Sequence, residues 1–250
     1  MNNYRINKKI STLLLLIGIG VISCKKEATP PGTSSLMVMN AIAGSNDVAM
    51  NFNGIAPINY LLTARISYNT AQAFSSYSGT QPLGIFEYPD TTVDRALYNL
   101  LLPLPVGSIS TLILTGTLAK PDSFLIHDNL PYYPAGDSVM GIRLIHAATG
   151  IAPVKVILKG DAPKELAQLS FKTQTSFFKV PVVAGIENYV FEFRDAVSHA
   201  LIASYTANDI GKFDTDNNPW LRRNISLVLT GAMGATGAQA PAVADIRHSR

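Results

Sequence analysis

Cysteine is almost absent from this chain of 250 residues, which contains a single copy, Cys24. An intramolecular disulfide is therefore excluded, although an exported protein could use one. Charge is scarce as well, because Asp, Glu, Lys and Arg together make up 15% of the residues. That composition excludes a highly charged or disordered chain, and the length allows one large domain or two small ones.

The short motifs of common enzymes are also missing. The sequence contains no G-x-S-x-G, H-E-x-x-H or C-x-x-C motif and no phosphate-binding loop. Its four histidines, at positions 127, 146, 199 and 248, lack the spacing of metal ligands. A catalytic triad can assemble from distant residues, so a hydrolase is kept as the least favoured interpretation. We expect a non-catalytic protein with no cofactor and no metal.

The N-terminal segment predicts export. Three basic residues within the first nine precede residues 10–22, an uncharged and mostly apolar run that is too short to span a bilayer comfortably. The run ends at residues 21–24, V-I-S-C, which resemble the bacterial lipobox. The resemblance implies that residues 1–23 are a lipoprotein signal peptide and that Cys24 is lipidated and becomes the anchored N-terminus. The alternative is a free cysteine beside an ordinary signal peptide.

Residues 24–35 predict a flexible tether between the membrane and the first domain, because they are polar and rich in Pro, Gly and Ser. Lys25-Lys26-Glu27 is similar to charged signals that send some bacterial lipoproteins to the cell surface, and an ordinary solvated tether is the alternative. We expect an outer-membrane lipoprotein of a Gram-negative envelope, at the periplasmic face or the cell surface.

The apparent positive charge belongs to the signal peptide. Cleavage removes three basic residues and no acid, so Lys plus Arg falls from 20 to 17, against 17 Asp plus Glu. The mature chain is close to neutral. A basic surface for nucleic acid is therefore not expected.

An internal repeat dominates the rest of the sequence. Residues 142–160, IRLIHAATGIAPVKVILKG, align without a gap on residues 36–54, LMVMNAIAGSNDVAMNFNG, at a shift of 106 positions. Apolar positions match in kind, and four match in identity: Ala41/Ala147, Gly44/Gly150, Val48/Val154 and Gly54/Gly160. Self-similarity of this kind indicates two copies of one β-rich unit.

Short apolar runs bounded by Gly, Pro and Asn predict strands, and no long helical period appears. In unit one we expect strands over 36–41, 48–53, 64–68, 72–77, 83–88, 97–102, 111–115 and 123–127. Unit two repeats them, with about ten extra residues placed in 211–223 and a closing strand over 243–248. The fold class is therefore all-β. We expect two tandem β-sandwich domains, 36–135 and 136–250, that fold separately and meet at a linker over 129–137.

The repeated stretch resembles a known family. Arg143-Leu144-Ile145-His146-Ala147-Ala148, then Ala152-Pro153-Val154, Val156 and Gly160, are similar to the signature of the secreted family called domain of unknown function 4397. That resemblance implies immunoglobulin-like β-sandwiches in exported, often anchored, bacterial surface modules. It is good for unit two and faint for unit one, where Asn40 stands in place of the histidine. The aspartate of the family signature falls at Lys155, so any role of that acid is missing here.

His146 is predicted to be structural. In an extended strand it shares a face with Ile142 and Leu144, and no base, acid or second metal ligand is near in sequence. Asn40 at the equivalent site keeps the hydrogen-bonding capacity of a neutral histidine without its proton chemistry. We expect a hydrogen bond from His146 that fixes the following turn.

A few other residues are candidate ligand contacts. Trp220, the only tryptophan, and Tyr132 and Tyr133 in the linker are of the type that stacks on sugar or peptide ligands. Packing at the edge of the second sandwich and between the domains are the favoured alternatives. Asp214, Asp216 and Asn218 begin like a calcium loop, but Pro219 and Ile225 replace the Gly and Glu that an EF-hand requires. Turn formation is therefore the favoured role of these residues, and a looser calcium site is the alternative.

Two functions from different classes fit the sequence better than a hydrolase does. The preferred one is a non-catalytic binding or adhesion module, displayed on a lipid anchor and taking a protein or glycan ligand. The other is a structural or accessory subunit of an envelope complex. A large exposed apolar patch would favour the subunit, and exposed aromatic residues with polar neighbours would favour ligand binding.

The lipobox resemblance is tested by Cys24→Ala. Because acylation requires the thiol, we expect the variant to lose metabolic labelling with palmitate and to leave the membrane fraction. A variant that is still labelled and still sediments with membranes would contradict the anchor.

Overall fold

The computed structural model of the chain describes residues 32–52, 64–89, 95–160, 162–213 and 218–248. The predicted signal peptide and Cys24 lie outside these ranges, as do Asp214 and Asp216. Within the described residues the protein is all-β, as predicted, and no helix has the length and apolar character needed to cross a membrane. Apart from strands, the one regular element with both ends inside the described ranges is a short 3₁₀ turn, Gly237–Gln239.

Two sets of eight strands follow one another along the chain. The first set is β1 (Thr33–Asn40), β2 (Val48–Asn51), β3 (Arg65–Ile66), β4 (Ala71–Tyr77), β5 (Gly79–Glu87), β6 (Tyr98–Leu104), β7 (Ile109–Thr117) and β8 (Lys120–His127). The second is β9 (Val139–His146), β10 (Val154–Leu158), β11 (Lys164–Leu169), β12 (Phe178–Pro181), β13 (Asn188–Asp195), β14 (Leu201–Asn208), β15 (Asn224–Thr230) and β16 (Ala242–His248). Each strand predicted in unit one is present, and β16 is the predicted closing strand.

The strand order confirms the tandem repeat. The first sandwich has sheets β4-β1-β7-β8 and β3-β2-β5-β6, and the second has β12-β9-β15-β16 and β11-β10-β13-β14. Adding eight to each strand number of the first sandwich gives the second. In both, the first and seventh strands pair in parallel, whereas all other pairs are antiparallel. The resemblance to immunoglobulin domains is one of architecture, since their first strand pairs with their second.

The extra residues of unit two lie where the sequence places them. Residues 105–108, four in number, join β6 to β7, whereas fifteen residues, 209–223, join β14 to β15. The longer connection carries Trp220 and Asn218. The second sandwich therefore has a long connection where the first has a four-residue turn.

Four strands bury side chains on both faces, which explains the apolar runs 36–39, 112–114, 144–145 and 227–229 within them. Successive residues of a strand point to opposite faces, so β1, β7, β9 and β15 contribute to two cores each. Leu36, Val38, Leu112 and Leu114 lie in the core of the first sandwich, and Leu144, Leu227 and Leu229 in that of the second. Their neighbours Met39, Ile113, Ile145 and Val228 form a third core. This third core joins the two sandwiches face to face.

The structured chain begins earlier than the predicted tether boundary. Thr33 already pairs with Tyr77, and Ser34 is only 4% exposed, so residues 33–35 belong to β1. The linker between the sandwiches is also packed: Asn224 Nδ2 donates to Pro131 O (2.9 Å) and Arg222 Nη1 to Ala135 O (2.8 Å). Separate folding of the two domains stays a prediction.

The two ends of this body differ in what they carry. We call the end at Gly32 the entry end, because the chain enters β1 there. The opposite end, which we call the distal end, carries the turns 41–47 and 147–153 and the loop 231–241. The strands β7 and β9 run in the same sense. Thr111 shares the carboxylate of Asp128 with Arg143, and four residues further along each strand Thr115 donates to Ala147 O.

Ile145→Lys tests the third core and separate folding together. In the intact chain the substitution places a charge in the apolar contact between sandwiches, and we expect a loss of about 3 kcal/mol or more of unfolding free energy. In residues 138–250 expressed alone the same face meets water, so we expect a change within about 0.5 kcal/mol. Urea unfolding measures both. Equal losses in the two proteins would contradict the third core, and a fragment that unfolds without cooperativity would count against separate domains.

Candidate functional site

A buried ion pair crosses the contact between the two sandwiches, which we call the seam. Arg143, in the middle of β9, is 3% exposed, and its Nη1 donates to Asp128 Oδ1. The side chain of Asp128, the residue directly after β8, is fully buried. Thr111 Oγ1 donates to the other carboxylate oxygen at 2.6 Å. Burial lowers the pKa of Arg143, and the carboxylate of Asp128 opposes that shift. The pair therefore places a fully partnered charge inside an otherwise apolar contact.

Three further groups complete the Arg143 cluster. Arg143 Nε donates to Ser226 Oγ (2.8 Å), and Nη2 lies 3.3 Å from His248 Nε2. Ser226 Oγ is 2.8 Å from the same His248 nitrogen. The guanidinium also lies 4.7 Å from the centre of the Phe177 ring. Since arginine can only donate, His248 Nε2 accepts, which assigns the ring its neutral form with the proton on Nδ1.

The Ser226–His248 pair is chemically unsuited to nucleophilic catalysis in this state. Ser226 is fully buried and His248 is 5% exposed, so a substrate has no route to the hydroxyl. Burial and the neighbouring Arg143 charge lower the pKa of His248 to about 4. A histidine that resists protonation in this way is a weak general base at neutral pH. The arrangement is that of a packed polar network.

Two other contacts cross the seam nearer the distal end. Thr115 Oγ1 donates to Ala147 O, and Lys172 Nζ contacts Asp122 Oδ1 at 2.8 Å. Unit one has Met37 at the position that corresponds to Arg143 after the shift of 106. The repeat is therefore broken at the seam. A signal for this site was present in the sequence, because Arg143 is the one charged residue in the apolar run 139–148.

The predicted hydrogen bond of His146 is present. His146 is fully buried, and its Nε2 donates to Ala152 O at 3.3 Å, six residues further on. In unit one, Asn40 Nδ2 donates to Asn46 O at 3.0 Å, which is also six residues further on. Gly44 and Gly150 both have positive φ in these turns, +90° and +72°. The matched identities of the repeat therefore preserve one turn, closed by different side chains in the two copies.

The distal end joins the two copies of this turn into one surface. Ala43 bridges to Thr117, and Thr149 bridges to Ala232 of the loop 231–241. Gln239 of that loop packs against Gly44, so the loop of the second sandwich contacts the turn of the first. Met233 and Val197 are 66% and 87% exposed at this end. Loops from both sandwiches are thus presented side by side.

Trp220 serves packing. It is 4% exposed within the core of the second sandwich, and its Nε1 donates to Asn208 O at 2.7 Å. The guanidinium of Arg247 lies 4.7 Å from its ring centre. The ring is therefore not presented for stacking on a ligand, and the packing alternative describes it.

The two linker tyrosines are placed differently. Tyr133 is 2% exposed and packs on Gly141 of β9, where a Cβ would meet its hydroxyl oxygen at 2.2 Å. Tyr132 is 74% exposed. Of the three aromatic candidates, only Tyr132 has a ring that a ligand can reach in this structure.

A metal site is not evident in the described parts of the chain. No three His, Cys, Asp or Glu side chains come together there. Asn218 Oδ1 accepts from the backbone N–H groups of Trp220 (2.9 Å) and Leu221 (3.0 Å), which is the behaviour of a turn former. Asp214 and Asp216 fall outside the described ranges.

A polar pocket of about 570 Å³ lies at the entry end of the second sandwich. Glu187 and Asn188 line it at the start of β13, and Asp209 and Lys212 line it after β14. Lys212 Nζ is 2.7 Å from Asp209 Oδ1, so the two charges partly neutralise each other. The pocket has the size of a small-molecule site but lacks the apolar lining that such sites usually have.

Comparison with known proteins adds no identity. No family model matches the chain, and no curated protein matches it either.

His146→Asn and His146→Ala separate a structural role from a chemical one. Asparagine already closes the equivalent turn in unit one, so we expect His146→Asn to be mild. His146→Ala leaves a buried carbonyl without its donor and should cost about 1–3 kcal/mol in urea unfolding. Asn40→Ala is the corresponding variant of the first copy and should cost more than His146→Ala, because Asn40 also donates to Ile66 O and accepts from Ile42 N. A His146→Asn protein of full stability that has lost a binding activity would overturn the structural role.

His248 makes the stability of the protein depend on pH. Its folded pKa of about 4 lies below the unfolded value. Between the unfolded pKa of about 6.5 and pH 4, His248 binds a proton in the unfolded chain but not in the folded chain. The free energy of unfolding therefore falls as the pH falls. We expect a loss of roughly 1–3 kcal/mol over this range from this residue.

Urea unfolding at pH 7.5 and pH 4.5 measures this loss. His248→Gln should reduce the pH dependence, because the glutamine side chain does not titrate in this range. An identical pH dependence in His248→Gln and the unsubstituted protein would contradict the assignment.

Proposed function

We propose that the protein is a non-catalytic, lipid-anchored envelope protein that displays a binding surface at its distal end. The observation that carries the proposal is that the chain enters at one end while loops of both sandwiches meet at the other. The third core and the Arg143–Asp128 pair join the sandwiches through their sheet faces. Anchoring through Cys24 would then direct the distal loops away from the membrane.

The chemistry of the distal end favours a protein or glycan partner. The exposed side chains of Met233 and Val197 supply apolar contact area beside turns whose backbone groups are already fixed by internal hydrogen bonds. Met233 N, for example, donates to Thr149 O at 3.0 Å. Preformed loops lose little conformational entropy on binding, which is the advantage of carrying a binding site on a rigid scaffold.

Surface display is tested with a protease site inserted after Gly234, which is exposed in the loop 231–241. On intact cells we expect cleavage by the externally added protease. Cleavage only after the outer membrane has been permeabilised would contradict display and favour an accessory subunit on the periplasmic side.

The binding surface is tested with the purified chain on an array of glycans and cell-surface proteins. Met233→Asp and Val197→Asp should each weaken binding at least tenfold without changing the melting temperature, because both positions are exposed. Leu101→Asp is the matched control, being 71% exposed on a sheet face away from the distal end. Equal loss in the control, or no loss in either distal variant, would contradict the proposed surface.

A further inference from the structure

The entry end carries most of the exposed large apolar side chains in the described part of the chain. Over all described residues, ten large apolar side chains are more than a third exposed. Six of them lie on segments at the entry end: Tyr77, Val106, Ile109, Tyr132, Val183 and Phe213. Scattered apolar residues are normal on a protein surface, but such a concentration at one end indicates a contact surface.

Strand pairing fixes the position of these residues. Tyr77 ends β4 opposite Thr33, and Ile109 begins β7 opposite Ser35. In the second sandwich, Val183 follows β12, whose Pro181 lies opposite Val139, the first residue of β9. Gly211 N donates to Ile186 O at 2.8 Å, which brings the segment before Phe213 to the same end.

Two of the side chains flank the point where the chain leaves for the tether. A Cβ at Gly32 would meet the methyl carbons of Val106 at 2.8 and 2.9 Å. Ser78, next to Tyr77, donates its N–H to Gly32 O at 2.8 Å, and Gly107, next to Val106, donates to Thr33 O at 2.8 Å. Val106 is 74% exposed and Tyr77 61% exposed. Gly32 therefore lies between two exposed apolar side chains.

The tether from this point to Cys24 is short. Eight residue steps separate Cys24 from Gly32, and a fully extended chain covers at most about 3.5 Å per residue, or about 28 Å in all. If Cys24 carries the lipid, the entry end cannot move further than this from the membrane surface.

We propose that the entry end rests on the bilayer that holds the lipid anchor, with Val106 and Tyr77 in the interfacial layer. This inference rests on the proposed lipid anchor and adds a second contact to it. Tyrosine suits the membrane interface, because its ring is apolar and its hydroxyl remains hydrated. A short tether holds the surface at a high effective concentration near the bilayer, so a contact too weak to bind by itself suffices. The contact orients the distal end outward.

The single cysteine of the chain makes the contact measurable. Lipidation blocks the thiol of Cys24, so Val106→Cys supplies the only thiol for an environment-sensitive fluorophore. Val197→Cys, 87% exposed at the distal end, is the matched control. The lipidated protein is reconstituted into vesicles of phosphatidylethanolamine and phosphatidylglycerol. Quenching is then measured with iodide in the water and with nitroxide-labelled lipid in the bilayer.

We expect the probe at 106 to be at least threefold less accessible to iodide than the probe at 197, and to be the only one quenched by the labelled lipid. Equal iodide accessibility of the two probes overturns the proposal. Protection of position 106 from iodide without quenching by lipid also overturns it, because the covering surface is then another protein, such as a second copy of this chain.

A second attachment separates this inference from the lipid anchor. Cys24→Ser versions of both probe variants, without the signal peptide, are held on vesicles by an N-terminal histidine tag and a nickel-chelating lipid. We expect the same difference between positions 106 and 197. If the native chain fails to float with membranes, the proposed anchor fails, whereas the tagged proteins still show whether the entry end contacts lipid. Tyr77→Asp combined with the probe at 106 should restore iodide access at least twofold.

Discussion

The face-to-face packing of β1 and β7 on β9 and β15 is the constraint on which the rest of the molecule depends. It buries the second face of four strands that would otherwise expose rows of Met, Ile and Val side chains to water. The buried Arg143–Asp128 pair stands inside this contact. An unpaired charge there would be costly, so the pair tolerates only arrangements that bring both partners together. We infer that apolar packing holds the sandwiches together and that the ion pair fixes their register.

The two copies differ at the position of Arg143, and this difference is related to the way the sandwiches pack. If the two copies of a duplicated unit pack through equivalent faces, each face is also complementary to itself. The two sandwiches could then pack in more than one register, or exchange places. Arg143 in β9 corresponds to Met37 in β1, so one face offers a cation and the other an apolar side chain. We infer that this difference selects one mode of packing. Burial and the Arg143 charge lower the pKa of His248, so we expect acid to weaken this cluster, which accommodates the neutral ring.

A consequence of joining the sandwiches through their sheets is that the two ends of the molecule are free for different tasks. The repeated turns, closed by Asn40 and His146, hold the loops of the distal end in place. The entry end keeps apolar side chains around Gly32. The proposed lipid-anchored binding protein requires two such different ends, since one would face the membrane and the other the partner.

The all-β class, the two copies, nearly all strand positions and the turn that His146 fixes could be predicted from the order of the amino acids. These features depend on local alternation, on turn residues such as Gly44 and Gly150, and on a repeat that can be read without coordinates. Which residues meet across the seam could not be predicted from the sequence and is seen only in the tertiary structure. Arg143 and Asp128 are separated by a packed linker, His248 lies 105 positions from Arg143, and Trp220 is buried by strands distant in sequence. Contacts of this kind depend on how two sheets stack, and alternation within a strand does not specify what covers its second face.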